Sequence, residues 1–260
     1  AQNRFEEALQ DADEAIRLDQ FYTIAYNNRG LAYLGLGNFV KAIQDYNQGI
    51  RMDPNNAINY NNRGLAYARL GQLEQAIQDY NQAIRLDPNY AIAYGNRGLA
   101  YYNLGENQRA IEDYGKAIQL DPDDADAYNN RGLSYSNLGQ DQTAINDYIM
   151  AIQFEPDYAL AYYNRGNSYS NLGQYQTAIN DYTKAIQLDP DYAGAYYNRA
   201  SSHGKLGQHQ TAIADYTKAI QLDPDYAVAY LNRGVSHGEL GQYPSAIADH
   251  TKAIQLDPDY

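Results

Sequence analysis

Residues 93–124 open on Ala93-Tyr94-Gly95-Asn96-Arg97-Gly98, continue through Leu104-Gly105 and Ala110-Ile111-Glu112-Asp113-Tyr114, and close on Ala117-Ile118-Gln119-Leu120-Asp121-Pro122. The same pattern returns every 34 residues. Its Tyr-x-Asn-Arg core begins at Tyr26, Tyr60, Tyr94, Tyr128, Tyr162, Tyr196 and Tyr230, with no insertion between copies. A fixed period of this length marks an array of short units, each too small to bury its own apolar face, which stack to share one core.

Inside one unit the apolar and small residues fall at helical spacing: Tyr94, Gly98, Tyr101 and Leu104, then Ala110, Ile111, Tyr114, Ala117 and Ile118. This predicts two amphipathic helices. Gly105, and its counterparts at 37, 71, 139, 173, 207 and 241, stands just past the first helix, where a left-handed residue closes it most cheaply. Asp121-Pro122 ends the second, because the residue before proline is pushed out of helical geometry and proline has no N–H to donate. Pro244 falls near the start of a second helix, where it is tolerated.

Working outward, residues 4–19 align with 38–53, so residues 1–22 are expected to hold the second helix of a truncated repeat. Residues 23–260 then hold seven consecutive 34-residue units, starting at Thr23, Ala57, Ala91, Ala125, Ala159, Ala193 and Ala227, read as one continuous repeat domain. Neither end shows a polar cap, so the array is expected to belong to a longer protein.

These residues resemble the tetratricopeptide repeat (TPR) family, in period, aromatic opener, small residue at Gly98 and its equivalents (Ala200 in the sixth unit), and closing proline. The resemblance covers essentially the whole chain. It implies an all-α fold, a right-handed α-solenoid superhelix of stacked helix-turn-helix units, with first helices lining a concave surface that takes extended peptides or partner helices.

The chain departs from the family at two places. Arg precedes the small residue in every unit, at 29, 63, 97, 131, 165, 199 and 233, and Asp precedes the second-helix aromatic at 45, 79, 113, 147, 181, 215 and 249. Constant spacing along a stack favours a ladder of Arg–Asp pairs. A stripe of Arg for an acidic ligand is the functional alternative.

Beside Arg runs a second series: Asn28, Asn62, Asn96, Asn130, Asn164, Asn198 and Asn232. By resemblance these lie in the concave groove, similar to the asparagine ladder of the TPR arm of O-linked N-acetylglucosamine transferases. Each offers a carbonyl and an amide, enough to satisfy the backbone of an extended peptide; the competing expectation is that Asn only bonds a neighbouring helix. Leu65, Leu99, Tyr163 and Tyr197 are expected to contact the ligand beside them. The groove is expected to change character, from Ile24, Ile58, Ile92, Leu31, Leu65, Leu99 and Leu133 to Asn167, Ser201, Gly204 and Gly238, so that an apolar ligand segment favours the first half. Some TPR co-chaperones clamp a terminal carboxylate with Lys and Arg, but Asn27, Asn61, Gly95, Ile58 and Ile92 stand at neighbouring clamp positions here, which argues against that role.

The net charge of −13 is spread evenly, −7 over residues 1–130 and −6 over 131–260, and leaves no basic patch to attract a nucleic acid or an anionic membrane. No cysteine is present, and no apolar run approaches the ~20 residues that span a bilayer. The 29 tyrosines recur mostly on packing positions, which favours a core over a stacking platform for bases or sugars. Of the four histidines, 203, 209, 237 and 250, three replace Tyr at packing positions, and nothing has the spacing of a metal site, nucleophile elbow or phosphate loop. The chain is therefore expected to be no enzyme and to need no cofactor or metal. Its expected function is a protein-interaction scaffold that binds peptide or protein. The alternatives are the substrate-recruiting arm of a larger enzyme such as a glycosyltransferase, and an end-to-end self-associating scaffold that stacks through Ala246, Ile247, Ala253 and Ile254.

Overall fold

A computed structural model describes residues 2–258, and the described residues form fifteen α-helices. The first helices are α2 (Thr23–Gly35), α4 (Ala57–Arg69), α6 (Ala91–Asn103), α8 (Ala125–Asn137), α10 (Ala159–Asn171), α12 (Ala193–Lys205) and α14 (Ala227–Glu239). The second helices are α1 (Gln2–Leu18), α3 (Phe39–Met52), α5 (Leu73–Leu86), α7 (Asn107–Leu120), α9 (Asp141–Phe154), α11 (Tyr175–Leu188), α13 (His209–Leu222) and α15 (Tyr243–Leu256). None of them is long and apolar enough to cross a membrane.

The turns follow from the linker residues. Gly37, Gly71, Gly105, Gly139, Gly173, Gly207 and Gly241 all take a positive φ, between 71° and 77°, which only glycine adopts without steric cost. After the second helix, Asp carboxylates at 53, 87, 189 and 223 accept the N–H two residues on, at 3.0–3.2 Å, and turn the chain into the next unit. Side-chain caps are used sparingly: Asn56 accepts from Ile58 and Asn59 at the start of α4, and Asn38 from Lys41 in α3.

Contacts divide the chain into two compact units, residues 1–127 and 128–260. In each, successive helices pack in chain order and first helices also touch the next first helix, the arrangement of an all-α solenoid. The core of the first unit is built from small clusters such as Ala42, Tyr46 and Ala66, and Ala76, Tyr80 and Ala100. In the second, Ala200, Ala212, Tyr216, Ile220 and Ala229 form one such cluster. Close approach is set by one residue: a Cβ at Gly64 would meet the Tyr80 ring at 2.7 Å, and one at Gly166 the Tyr182 ring at the same distance. The second-helix Tyr therefore fills the space that the missing Cβ leaves.

The Arg and Asp series pair in all seven full repeats. Arg63 Nε donates to Asp79 Oδ2 at 2.7 Å and Nη2 to Oδ1 at 2.6 Å, and the same two-bond fork joins Arg29–Asp45, Arg97–Asp113, Arg131–Asp147, Arg165–Asp181, Arg199–Asp215 and Arg233–Asp249. Each guanidinium also lies over the opening Tyr of its own unit, 5.4–5.5 Å from the ring centroid. The opening tyrosines are thus half-buried cation partners, and the fully buried rings are those of the second helices, such as Tyr46, Tyr114 and Tyr148. The Arg series is consumed by the fold. It leaves no stripe for an acidic ligand.

Candidate functional site

The asparagine series lies on the first helices, each member one residue before the structural Arg and so on an adjacent face of the same turn. Four members donate their side-chain amide back along the stack, always to the residue 35 positions earlier. In the first unit Asn96 Nδ2 donates to Asn61 Oδ1 at 3.0 Å. In the second, Asn164 donates to Asn129 Oδ1 at 2.9 Å, Asn198 to Tyr163 Oη at 3.0 Å, and Asn232 to Tyr197 Oη at 2.8 Å. Asn62 and Asn130 instead accept from their own neighbours, Asn61 at 3.2 Å and Asn129 at 3.3 Å, and Asn28 stays exposed. Four of the seven are therefore tied between neighbouring first helices. Among the described residues no donor reaches the carbonyl oxygen of Asn96, Asn164, Asn198 or Asn232.

The two tyrosines expected at the ligand are also engaged. Tyr163 is half-buried, its ring centroid 4.6 Å from Tyr192 and 6.0 Å from Tyr182, and Tyr197 repeats this against Tyr226 and Tyr216 at 5.0 and 5.7 Å. Both hydroxyls accept from the asparagine of the next repeat, so these rings connect repeats.

In the second unit the first helices, with Tyr148 and Tyr182 of the second helices, line an open polar cavity of 390 Å³ that includes Leu133, Asn164, Asn167, Asn198 and Ser201. No Lys, Arg, Asp or Glu lines it. Asn167 organises it: its Oδ1 accepts from the Tyr182 hydroxyl at 2.9 Å and from Asn198 Nδ2 at 2.8 Å. Buried Asp141 accepts from Ser136 Oγ at 2.8 Å and Asn171 Nδ2 at 3.2 Å, which ties these two lining residues to it. Burial pushes the Tyr182 phenol above its usual range, so it remains a donor into alkali.

One repeat further on, a cavity of 320 Å³ is lined by Lys205, His209, Tyr216, Asn232 and Val235 among others. Val235 is 49% exposed, so the change from aliphatic to polar reverses in the last repeat. In the first unit a cavity of 390 Å³ between α1 and α2 is lined mainly by apolar residues, Phe5, Ala8, Ala15, Tyr22 and Leu31, with Asn28 also in its wall. Ile24, Ile58, Ile92, Leu31 and Leu99 are all more than 40% exposed there.

Of the residues expected at the site, Asn164 and Asn198 come together in the polar cavity, Asn232 lies in the next, and Asn28 in the apolar one. Asn62, Asn96, Asn130, Leu65, Leu99, Tyr163 and Tyr197 do not line these cavities. Sequence reasoning passed over Ser136, Ser170 and Asn171. Their signal is the change from Ala-Tyr at 32, 66 and 100 to Ser-Tyr-Ser-Asn at 134–137 and 168–171. Among the described residues no group of His, Asp and Glu has the arrangement of a metal site.

A family model described as tetratricopeptide repeat matches residues 23–56, 159–192, 193–226 and 227–260. A second of that description matches 45–78, and a TPR repeat model matches 67–105, 98–139 and 137–173. Comparison with the curated proteins finds no match. Among solved structures, the chain is similar to MamA, with 31% identity and a TM-score of 0.58 over 63% of this chain and 96% of that one. It is similar to YrrB, described as a TPR protein with an unusual peptide-binding site, with 24% identity and a TM-score of 0.60 over 71% of this chain and 95% of that one. The APC/C hetero-tetramer Cut9-Hcn1 matches 98% of this chain with a TM-score of 0.71 at 18% identity, and this chain spans about half the length of that one, 50%. At these identities the likenesses to YrrB and Cut9-Hcn1 carry the fold alone.

Proposed function

The chain belongs to the tetratricopeptide repeat family and is a protein-interaction scaffold, and we propose that it binds an extended peptide segment of a partner protein along the asparagine-bearing face of its first helices, with no catalysis of its own. The supporting observation is the polar cavity of the second unit, where Asn164 and Asn198 spend their amides on the preceding first helix and their carbonyl oxygens have no donor among the described residues. Fixed acceptors of this kind suit the N–H groups of an extended backbone, because their orientation is set before the ligand arrives. The exposed Ile and Leu of the first unit would take apolar side chains of a ligand bound there.

A photo-crosslinking amino acid tests the face directly. It would replace Leu133, which lines the cavity, or Ile149, an exposed second-helix residue, and peptides selected from a displayed random library would be irradiated with each variant. Crosslinking at 133 and none at 149 is the expected result. The reverse pattern would move the binding face to the second helices and end this reading.

A further inference from the structure

We propose that the polar cavity of the second unit selects an uncharged side-chain carboxamide, that of a glutamine or asparagine in the bound segment. The inference rests on the reading of this face as a peptide-binding groove and goes on to name the side chain that it takes. Its starting point is Asn167. Two donors, the Tyr182 hydroxyl and Asn198 Nδ2, fill both lone pairs of Asn167 Oδ1, at 2.9 and 2.8 Å. The carboxamide cannot flip without losing both bonds. Its amide nitrogen, which has no acceptor among the described residues, is therefore left as a double donor.

The neighbours present the opposite group. Asn164 is 5% exposed and donates to Asn129, so its open atom is the carbonyl oxygen. Asn198 spends its amide on Tyr163 and Asn167 and is likewise left with an oxygen. The lining thus brings together one donor and two acceptors, all uncharged and all oriented by buried or half-buried bonds.

A primary carboxamide carries both complements, an oxygen for Asn167 and an NH₂ for Asn164 or Asn198. A carboxylate meets the donor but sets its charge against two carbonyl oxygens. An ammonium group meets the acceptors and repels the Asn167 amide. An apolar side chain strands all three. Sites built to hydrogen-bond a polar group reject the analogue that leaves their own groups unpaired by more than a close-packed apolar pocket rejects a missing methylene.

The test uses the full chain and four capped peptides that repeat Ala-Gly-X, with X as Gln, Glu, Lys or Leu. Affinity is measured by calorimetry, and the site by the side-chain amide signals of Asn164, Asn167 and Asn198 in ¹⁵N spectra. The Gln peptide is expected to bind about tenfold tighter than the other three, or better, and to shift the Asn167 signal. Asn167→Asp keeps both acceptors for Tyr182 and Asn198 and replaces the outward amide with an oxygen. It should cost the Gln peptide about tenfold and make the Lys peptide the tightest of the four.

If the Glu, Lys or Leu peptide binds as tightly as the Gln peptide and shifts the same signals, carboxamide selection is wrong and the groove stands. Unchanged selectivity in Asn167→Asp also overturns the selection. If no peptide moves any first-helix signal, the groove reading fails with it.

Discussion

Asp181 holds Arg165 by two parallel bonds, at 2.8 and 2.7 Å, yet among the described residues the third guanidinium nitrogen of Arg165 has no acceptor. In the next two repeats that nitrogen reaches back to the preceding second helix, from Arg199 to Thr183 Oγ1 at 3.1 Å and from Arg233 to Thr217 Oγ1 at 3.0 Å. Asp13, Asn47 and Asn81 do the same for Arg29, Arg63 and Arg97. Ile149 stands where Arg165 would find that acceptor. That inter-repeat bond is therefore missing for Arg165, as it is for Arg131, which among the described residues has only its fork to Asp147.

Ile149→Thr should restore it. Ile149 is 41% exposed, so little apolar burial is lost, and both side chains are β-branched, so helix propensity barely changes. A charge-assisted bond at a half-exposed place is worth about 1 kcal/mol, or roughly 2–4 °C in melting temperature for a chain of this size. Thr217→Ile should lower it by a similar amount. Thermal melts followed by helical circular dichroism decide this, and an unchanged midpoint in both variants would mean that water serves the guanidinium equally well.

Removing the other partner should cost more. The Arg165 and Asp181 side chains are 18% and 8% exposed, so Asp181→Ala leaves a cation largely out of water beside Tyr162, at an expected cost of about 3 kcal/mol. Glu14→Ala, which breaks the exposed Arg17–Glu14 pair, should leave stability unchanged within error. Amide exchange in α10 and α11 reads the first locally, because an array need not unfold as one unit. Equal effects from the two substitutions would refute the structural weight given to the ladder.

The Arg–Asp ladder was legible because both residues recur at one fixed spacing of 16, and constant spacing along a stack gives constant geometry. Helix ends were legible for a local reason, the Gly and Asp-Pro punctuation. The asparagine partners were not. Asn96 and Asn164 find Asn61 and Asn129, whereas Asn198 and Asn232 find Tyr163 and Tyr197, and these acceptors change identity from repeat to repeat. Their contact spans 35 residues and depends on how one first helix leans on the next, which packing sets and no local pattern announces. Asn167 was visible as a polar break in a leucine series, but its fixed orientation came only with Tyr182 and Asn198.

Alkali should unfold the chain through its buried tyrosines. Burial raises the phenols of Tyr46, Tyr80, Tyr114, Tyr182 and Tyr216 well above their usual range. An unfolded chain releases those protons near pH 10 while the folded one keeps them, so the unfolded state binds fewer protons. The stability held by these rings is complete below about pH 10 and is lost as pH rises toward the raised folded values. With no Trp in the chain, tyrosinate absorbance follows this cleanly. A late cooperative rise that coincides with loss of helical signal is expected. A single smooth titration with the helices intact would contradict it.

The bond between Asn232 and Tyr197 separates a structural role for the asparagine series from a role in ligand binding alone. Asn232 Nδ2 lies 2.8 Å from Tyr197 Oη, and the Tyr197 ring is held by Tyr216 and Tyr226, so Tyr197→Phe removes the hydroxyl and leaves the packing in place. Tyr197→Phe and Asn232→Ala should each destabilise the chain. Their combination should cost about 1 kcal/mol less than the sum, the coupling expected of one hydrogen bond between half-buried groups. Zero coupling in a double-mutant cycle would mean that this amide is free for a ligand. A coupling near the expected value would leave the carbonyl oxygen of Asn232 as the atom a partner can use, and would make the first-helix bonds between repeats the support that holds it in place.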